Sequence, residues 1–454
     1  MNRLLLSAAV FLCLGAPLAA DEKSDATAHA RAVLDALLKE DYDAASKDFD
    51  EAMKKAVPID KLKEVWKSVL QQSGQFKAVV ATSVETRGRA QVVTLTCRFE
   101  KAVWDVHVAV DGKEVVGLNL RPNAKLAYKA PDYVKADAFR EVEVTVNPGE
   151  WELPGTLTLP KGDGPFPAVV LVHGSGPNDR DESVGAAQPF RDLAGGLASK
   201  GVAVLRYEKR TKQHGFKFVK QNMAYTIKEE VIDDAVAAAA LLRARKEIDP
   251  KHVYVLGHSL GGHLAPLIAQ RDGELAGLIL LAGNSRPLID LFPEQYDYLL
   301  SLFENATDEE KKQVEDYKKK LDDFKKQVED IKKAVARLKD PKLEDTSPST
   351  EQILGAPVSY WVSLRQYDVP AAAAKVKAPM LVLQGERDYQ VTMTDFDGWK
   401  KALKERDNVR FKSYPKLNHL FAEGEGKSRP EEYLRDKHVA AEVIDDIADW
   451  IKKR

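Results

Sequence analysis

The sequence predicts an α/β protein: a mostly parallel β-sheet with helices on both faces, preceded by a small α+β domain. Three observations support this prediction. Short apolar runs alternate with helical segments after residue 140, an earlier stretch changes from helical to alternating periodicity, and a G-x-S-x-G motif stands between a predicted strand and a helix. The 454 residues allow two or three domains.

The composition is that of an ordinary globular protein, with 44% hydrophobic and 30% charged residues. Lys and Arg together number 68 and Asp and Glu number 70, so the net charge is −2. We expect no nucleic-acid partner and no polybasic membrane contact, because both need an excess of positive charge. The two cysteines, Cys13 and Cys97, are too few for a disulfide framework or a cysteine-based metal site.

Residues 1–20 have the layout of a targeting segment. Arg3 precedes an apolar stretch from Leu4 to about Gly15, and small residues follow as far as Ala20. The apolar stretch is too short to span a bilayer, so the segment predicts a secretory signal peptide cleaved after Ala20. Retention as an anchor is the alternative. We expect export to the periplasm or the outside of a bacterial cell, with no membrane span after cleavage.

The first domain, residues 21–122, changes its periodicity near the middle. Residues 24–72 carry apolar positions at intervals of three and four, which predict amphipathic helices. Alternating apolar residues follow, and Asp111-Gly112 is a strong hairpin signal because both turn positions need a positive φ. We expect an accessory domain with helices on one face of an antiparallel sheet, followed by a linker over residues 123–139.

The second domain, residues 140–454, alternates strands with helices. A hairpin around residues 147–149 opens it, and continuous apolar runs follow, as expected for strands that are buried on both faces. This alternation predicts a mostly parallel sheet whose ligand site lies beyond the carboxyl ends of the strands. The apolar runs are 168–172, 202–205, 253–256, 278–282 and 380–383.

The motif Gly257-His258-Ser259-Leu260-Gly261 follows the third of these runs and precedes a helix. A turn this tight leaves no room for a Cβ at the flanking positions, so glycine is needed on both sides. The turn projects the Ser259 hydroxyl above the sheet, at a helix N-terminus that favours negative charge. We predict that Ser259 is a nucleophile that carries an acyl group.

A serine hydroxyl needs a base to take its proton, and the expected base is a histidine held by a carboxylate. On this kind of sheet the three residues follow the chain order serine, acid, histidine. Asp388 follows the last apolar run, and His419 stands on the loop after the next predicted strand, 419 − 388 = 31 residues later. Glu386 is the alternative acid, and His438, at the start of the last helix, is the alternative base.

Two backbone N–H groups are expected to hold the oxyanion of a tetrahedral intermediate. One belongs to Leu260, directly after the nucleophile. The other belongs to Ser175, in the glycine-rich loop that follows the first apolar run. Arg180 and Asp179 of the same loop are predicted either to bind substrate or to fix the loop as an ion pair.

Together these motifs resemble the α/β-hydrolase superfamily from about residue 140 to the end of the chain. The resemblance is to secreted bacterial serine esterases with a small domain in front. It implies a carboxylesterase without a metal or organic cofactor, and it implies the residue roles given above. One departure concerns the pocket and not the triad: the loop 207–215 is enlarged where such enzymes commonly carry an acidic residue, Arg and Gly. The resembling segments are HGSGPNDRD at 173–181, GHSLGG at 257–262, AGNSRPL at 282–288, APVSYWVSLRQYD at 356–368 and HLFAEGEGKS at 419–428.

Residues 284–370 form an insertion that is too long for a simple crossover. Within it, eight apolar residues step 3, 4, 3, 4, 3, 4 and 3, a heptad seam typical of a helix that packs along one partner helix. We expect a helical cap in which this helix pairs with the preceding one above Ser259; the alternative is a coiled-coil contact in a homodimer. The seam residues are Val314, Tyr317, Leu321, Phe324, Val328, Ile331, Val335 and Leu338.

The remaining candidate substrate-binding residues come from three segments. Tyr360 and Trp361 are predicted either to line the acyl pocket or to pack in the core, and Gly174, Arg180 and His258 lie in the motifs described above. The leading hypothesis is hydrolysis of small-molecule carboxylic esters with short to medium acyl chains. The alternatives are cleavage of peptides or thioesters, acyl transfer on the same triad, and a non-catalytic binding protein on a hydrolase scaffold.

Overall fold

The computed structural model describes residues 20–87, 89–100, 102–123, 128–215, 224–312, 314, 316–344, 351–435 and 437–454. The predicted signal peptide lies outside the described residues, apart from Ala20. The chain divides into two compact units, Met1–Lys129 and Ala130–Arg454.

The first unit combines helices with a four-stranded antiparallel sheet in the order β1-β2-β3-β4. Its helices are α1 (Ala20–Leu38), α2 (Tyr42–Ser46), α3 (Glu51–Ala56) and α4 (Ile59–Ser73). Its strands are β1 (Phe76–Arg87), β2 (Ala90–Phe99), β3 (Val103–Asp111) and β4 (Glu114–Pro122).

The two faces of this sheet differ in polarity. Leu95 and Val106 are buried with Trp66 and other helical residues in one core. On the opposite face, cross-strand polar pairs meet: Thr96 donates to Asp105 over 2.6 Å, and the Thr94 hydroxyl lies 2.9 Å from His107 Nδ1. The alternating pattern of the sequence therefore corresponds to a sheet with helices on one face.

Within the predicted helical stretch 24–72, residues 42–56 form two short helices, α2 and α3. The Asp50 carboxylate accepts a hydrogen bond from the Met53 backbone N–H over 2.7 Å and so caps α3. Phe49, just before it, forms an isolated β-bridge with Val115. Asp50 thus starts α3, because its carboxylate binds a backbone N–H that has no partner within the helix.

The second unit alternates strands and helices, as the sequence predicts. Its strands are β5 (Phe139–Val146), β6 (Leu153–Pro160), β7 (Phe166–Val172), β8 (Ala203–Tyr207), β9 (Ile248–His258), β10 (Gly277–Leu281), β11 (Gln352–Ile353), β12 (Ala356–Pro357), β13 (Met380–Gly385) and β14 (Val409–Tyr414). Its helices are α5 (Pro189–Ala198), α6 (Arg210–Gln213), α7 (Asp233–Arg243), α8 (Leu260–Asp272), α9 (Leu288–Glu304), α10 (Asp308–Lys312), α11 (Tyr317–Lys339), α12 (Val358–Arg365), α13 (Val369–Lys375), α14 (Met393–Ala402) and α15 (Ala441–Lys452). No helix in the described part of the chain is both long enough and apolar enough to cross a membrane.

Eight of these strands form one sheet in the order β14-β13-β10-β9-β7-β8-β6-β5. Neighbouring strands from β14 to β8 are parallel, whereas β6 pairs antiparallel with both β8 and β5. The carboxyl ends of the parallel strands lie at one edge of the sheet, so the loops after β7, β9, β13 and β14 converge there.

Both faces of the large sheet are buried, which explains the continuous apolar runs. In β7, Val169 and Leu171 belong to a core that includes Phe190 of α5. Val170 and Val172 belong to a second core on the opposite face. A strand covered on both faces has no polar positions to alternate with its apolar ones.

The second unit includes part of the segment that the sequence assigns to the linker. The Tyr133 hydroxyl donates to the carbonyl of Val439 over 2.7 Å. Val134 and Tyr133 pack so closely on Gly195 and Gly196 of α5 that a Cβ on either glycine would overlap them. The unit therefore begins before residue 140, the boundary predicted from the sequence.

The insertion between β10 and β13 contains an antiparallel helical hairpin of α9 and α11. Ion pairs join the helices at 2.9 Å between Lys332 and Asp297 and at 3.0 Å between Lys325 and Glu304. Lys339 and Asp290 form a third ion pair at 2.5 Å. The two helices are therefore aligned side by side over most of their length. The later seam residues Val328, Ile331, Val335 and Leu338 are buried. The heptad seam thus faces a helix of the same chain.

Candidate active site

Ser259 occupies the turn between β9 and α8, where the motif predicts it. Its φ of 53° and ψ of −117° lie outside the regions that L-residues favour, a strain on the order of 1–3 kcal/mol. A Cβ on Gly257 would overlap the Gly261 backbone, and a Cβ on Gly261 would overlap the carbonyl of Val172. Only glycine fits these two positions, and the resulting turn presents Ser259 at the N-terminus of α8.

Asp388 and His419 form the buried hydrogen-bonded pair that the sequence predicts. Asp388 stands on the loop after β13 and His419 on the loop after β14. Nδ1 of the imidazole lies 2.6 Å from Oδ2 of the carboxylate, and since a carboxylate only accepts, Nδ1 is the donor. The remaining ring nitrogen, Nε2, is then the one that can accept a proton.

The His419 loop is fixed by its own side chains. Oδ1 of Asn418 accepts the backbone N–H groups of Leu420 and Ala422 at 3.0 and 3.1 Å, which closes a tight turn around the histidine. A Cβ on Gly385 would overlap the carbonyls of Leu417 and Asn418, so β13 and this loop lie backbone against backbone. The imidazole is therefore carried by a hydrogen-bonded loop that packs closely on β13.

The two alternative residues have other partners. Glu386 is exposed and accepts a hydrogen bond from the Ser413 hydroxyl over 2.8 Å. His438 lies 3.1 Å from the Asp192 carboxylate of α5. Of the candidate acids and bases, Asp388 and His419 are thus the two that are bonded to each other.

The first oxyanion candidate, the N–H of Leu260, begins α8 and has no acceptor within the helix. The second candidate lies in the loop after β7, where Gly174 packs closely on the elbow: a Cβ on Gly174 would come within 3.2 Å of the Ser259 Cβ. The N–H of Gly174 itself donates to Glu182 Oε1 over 2.5 Å, and Ser175 is exposed. The Ser175 carbonyl accepts from Nδ2 of Asn178 over 3.1 Å, so the Ser175 N–H is the backbone group of this residue that is available to a ligand.

His258 holds the histidine loop beside the elbow. Its Nε2 lies 2.9 Å from the backbone oxygen of His419, and the two rings are 4.7 Å apart. In the described residues, the Ser259 hydroxyl makes no hydrogen bond to the His419 imidazole. Such bonds are often long in the absence of substrate and tighten when it binds.

Glu182 is a site residue that the sequence does not predict. Its Oε2 lies 2.9 Å from Nδ1 of His258, and both side chains are almost completely buried. Burial alone would lower the pKa of His258, but the Glu182 carboxylate outweighs it and the pKa is raised. Burial alone would raise the pKa of Glu182, but His258 and the Gly174 N–H lower it. The two residues therefore form a buried ion pair next to Ser259.

This pair changes the interpretation of His258. Nδ1 is paired by charge with the Glu182 carboxylate, and Nε2 lies 2.9 Å from a backbone carbonyl, so both ring nitrogens are buried against groups of the protein. The structure thus favours a role in positioning over the substrate contact expected from the sequence. The sequence shows that Glu182 is a charged residue directly after the glycine-rich loop. It does not show that its partner is His258, 258 − 182 = 76 positions later.

Arg180 fixes its loop, although not through Asp179. Its guanidinium donates to Glu208 at 2.9 Å and to Glu143 and Thr156 at 2.7 Å. Burial lowers the pKa of Arg180, but these carboxylates outweigh it and the net shift is upward. Asp179 instead accepts backbone N–H groups of its own loop. Of the two roles predicted for Arg180, the geometry matches fixing of the loop, but the predicted ion pair with Asp179 is replaced by pairs with Glu143 and Glu208.

The aromatic candidates Tyr360 and Trp361 are both core residues of α12. Each is 5% exposed, and Nε1 of Trp361 donates to the carbonyl of Ile353 over 2.7 Å. Their rings contact each other edge to face at a centroid distance of 5.3 Å. Core packing, one of the two roles predicted from the sequence, describes this arrangement.

The helical hairpin reaches the acid loop through aromatic contacts. The Tyr298 ring of α9 lies 5.1 Å from the ring of Tyr389, the residue after Asp388. Nε2 of Gln295 donates to the carbonyl of Gln390 over 2.9 Å. The insertion therefore packs directly beside the carboxylate of the site.

The fold and this arrangement of serine, histidine and aspartate define a serine hydrolase with the α/β-hydrolase fold. The chain belongs to the family described as "Serine aminopeptidase, S33", whose sequence profile matches residues 164–425. Residues 30–118 match a second family, described as "Protein of unknown function (DUF3887)".

One relative and two solved structures illustrate the similarity of this chain to known proteins. Esterase EstD of Thermotoga maritima is 37% identical over 420 residues, which cover 92% of this chain and 93% of that protein. Est1E from Butyrivibrio proteoclasticus is 15% identical, with a TM-score of 0.42 over 69% of this chain and 99% of that chain. The monoclinic form of the Pyrobaculum calidifontis esterase is 18% identical, with a TM-score of 0.42 over 69% and 85% of the two chains.

Proposed function

We propose that the protein hydrolyses carboxylic esters through an acyl-enzyme formed on Ser259. The observation that carries the proposal is the 2.6 Å bond between His419 and Asp388, on a loop held beside the Ser259 turn. The relative named as an esterase, which aligns over 92% of this chain, supports the choice of substrate class.

The proposed reaction proceeds in two halves. Nε2 of His419 takes the proton of the Ser259 hydroxyl while the oxygen attacks the ester carbonyl carbon. The resulting oxyanion accepts hydrogen bonds from the N–H groups of Leu260 and Ser175. Collapse breaks the ester bond, and His419 returns the proton to the leaving alcohol. Water then attacks the acyl group by the same steps, and Asp388 keeps the imidazole oriented throughout.

Replacing the nucleophile tests the proposal directly. We expect Ser259→Ala to retain less than about a thousandth of the wild-type kcat on a short-chain p-nitrophenyl ester. A fluorophosphonate probe should label the wild-type protein at Ser259, which would also exclude a non-catalytic binding protein. The control is Ser413→Ala, a serine bonded to the exposed Glu386. Retained turnover in purified Ser259→Ala would overturn the assignment.

Peptide cleavage is the second candidate, because the description of the matching family names an aminopeptidase. The same triad can attack an amide or a thioester, and the fold does not choose between them. Comparing kcat/KM for a p-nitrophenyl ester, an amino acid p-nitroanilide and a thioester shows which bond the protein cleaves fastest. Adding an alcohol acceptor and measuring the new ester shows whether the acyl group is transferred. We expect the ester to be turned over fastest, with acyl chains of short to medium length preferred in a series from acetate to palmitate.

The hairpin of α9 and α11 is proposed to act as a cap over the site. Its support is the contact between Tyr298 and Tyr389 next to Asp388. The burial of the seam against α9 favours a cap over the alternative, a coiled-coil homodimer. Deleting residues 306–340 and measuring the mass in solution separates the two, because a dimer that persists is not held by this helix.

We also propose that residues 1–20 direct export to the periplasm or the outside of a bacterial cell. The charge at Arg3 and the short apolar stretch after it support this proposal. Mass spectrometry of the protein from a cell envelope fraction should give an N-terminus at Asp21. A protein retained in the cytoplasm with residues 1–20 attached would overturn it.

A further inference from the structure

Gly174, next to the proposed oxyanion donor, is held from both sides by buried charges. Its N–H donates to Glu182 Oε1 over 2.5 Å. Its carbonyl oxygen accepts from Nζ of Lys209 over 2.8 Å and from Nδ2 of Asn178 over 3.1 Å. Both bonding groups of this residue are therefore occupied by the protein itself.

The bond to the carbonyl also fixes the neighbouring amide. The Gly174 carbonyl and the Ser175 N–H belong to one peptide unit, which is planar and trans, so they point in opposite directions. A donor that holds the Gly174 oxygen on one side therefore directs the Ser175 N–H to the other. If this peptide turned over, the carbonyl oxygen would face the developing oxyanion and repel it.

Lys209 makes this bond from a buried position. The side chain is 2% exposed and follows β8, at the start of the loop where the sequence departs from related enzymes. Its charge is balanced by Glu230 Oε1 at 3.4 Å. The Lys209 backbone N–H also donates to the carbonyl of Asn178 over 3.2 Å, so the two loops are joined twice. A charged donor gives a hydrogen bond roughly twice as strong as a neutral one.

We propose that Lys209 is a positioning residue that fixes the Gly174–Ser175 peptide in the orientation needed to bind the oxyanion. The inference rests on the proposed function, because it requires that Ser259 forms a tetrahedral intermediate. Glu182 completes the arrangement, since it occupies the Gly174 N–H and leaves the Ser175 N–H as the donor of this loop. The loop is thus oriented before substrate arrives.

The experiment compares Lys209→Met with the double variant Lys209→Met/Glu230→Gln. The single variant leaves Glu230 buried without its ion-pair partner, which destabilises the protein, whereas the double variant removes both charges. In the double variant we expect kcat on p-nitrophenyl butyrate to fall by about 10- to 100-fold with KM changed by less than about threefold. Loss of a whole oxyanion donor costs about 100- to 1,000-fold, and here Asn178 still holds the same oxygen.

A second readout separates orientation of the oxyanion donor from general damage. The affinity for an alkyl boronic acid, which forms a tetrahedral adduct on the serine, should fall by the same factor as kcat. The control is Lys200→Met, which removes a lysine paired with Asp445 at the surface and should match the wild type in both readouts.

The outcomes are distinct. A double variant that unfolds at the wild-type temperature and keeps kcat within threefold overturns the inference. So does a fall in kcat without a fall in boronic acid affinity. A wild-type protein that hydrolyses no ester and is not labelled at Ser259 overturns the proposed function, and the inference falls with it. Labelled wild-type protein with an unaffected double variant overturns the role of Lys209 alone.

Discussion

His419 and Asp388, 31 positions apart in the chain, are joined by a hydrogen bond of 2.6 Å between Nδ1 and Oδ2. The other carboxylate oxygen accepts the backbone N–H groups of Gln390 and Val391 at 2.7 and 3.1 Å. Because the backbone fixes one oxygen, the second oxygen is aimed at the imidazole. This arrangement orients the imidazole in the way that the proposed mechanism requires.

Replacing the acid with its amide should therefore disturb the imidazole without a change in size. The side-chain amide of an Asp388→Asn variant can donate to Nδ1, which would place the imidazole proton on Nε2, where the mechanism needs a free lone pair. We expect kcat to fall by about 10³- to 10⁴-fold, with thermal stability little changed. Steady-state kinetics on a p-nitrophenyl ester measure the loss.

Glu386→Gln is the matched control for that variant. It removes a carboxylate two residues away that is bonded to Ser413. Its kcat should stay within about twofold of the wild type. If Glu386→Gln lost activity while Asp388→Asn kept it, the assignment of the acid would be wrong.

The elbow should not tolerate alanine at residue 257. A Cβ there overlaps backbone atoms of Gly261, which cannot move without shifting α8. We expect Gly257→Ala to be destabilised by at least about 3 kcal/mol in urea unfolding, or to yield no folded protein. Gly215→Ala is the control, because a Cβ at Gly215 has no neighbour within 4 Å. Equal stability of the two variants would contradict the geometry of the turn.

Acid should destabilise the protein partly through His263. Burial lowers the pKa of His263 to about 4 from its ordinary value of 6.5, although the Asn284 carbonyl and Asp395 act in the opposite direction. Between these two pH values the unfolded chain binds a proton here that the folded chain does not. Stability is therefore full above pH 6.5 and falls as the pH is lowered towards 4.

Urea unfolding at a series of pH values checks this linkage. In His263→Gln, the slope of the unfolding free energy against pH should decrease by up to about 1.4 kcal/mol per pH unit, the value for one proton. Some slope should remain, because burial lowers the pKa of His173 to about 4 as well. An unchanged slope in His263→Gln would show that this histidine does not titrate as its environment indicates.

The hairpin seam should be needed for packing within one chain. Ile331 is 8% exposed on the face of α11 that meets α9, so Ile331→Asp places a charge in this contact. We expect a loss of at least about 2 kcal/mol of stability and an unchanged mass in light scattering. Lys333→Asp, on the exposed face of the same helix, is the control. A dimer that dissociates only in Ile331→Asp would support the coiled-coil alternative.

Cys97 should report on unfolding of the first unit. The side chain is fully buried between sheet and helices, and burial, with a smaller effect from Asp105, raises the pKa of its thiol to about 12. Because the thiolate is the reactive form, iodoacetamide should not modify Cys97 in the folded protein at pH 8 within an hour. It should react completely in denaturant. Rapid reaction of folded protein lacking residues 1–20 would contradict the burial of this thiol.

Local sequence patterns were sufficient for the elements that hold the site. The glycines around Ser259 predict a turn without Cβ atoms, and the structure has that turn. The heptad spacing predicts which residues of α11 are buried, and Val335 and Leu338 are among them. The glycine motif and the heptad spacing are both predictive because the contacts they specify involve residues that are close together in the chain.

The charged pairs beneath the site could not be predicted in the same way. Lys209 and Glu182 each lie in a polar loop, where a charged residue usually faces solvent. Their burial depends on β7, β8 and β9 being neighbours in the sheet, a property of the topology and not of any segment. The glycine-rich loop marks where an oxyanion binds, but not which side chains fix its peptide groups.

The positive φ of Ser259 costs free energy, which the packing around the turn must offset. Glycine could adopt the same φ of 53° without hindrance from a side chain, whereas serine adopts it only because the surrounding packing compels it. A glycine at this position would relieve the strain, but it would also remove the hydroxyl on which the proposed reaction depends. Heat resistance and the proposed reactivity thus make opposite demands on this one residue.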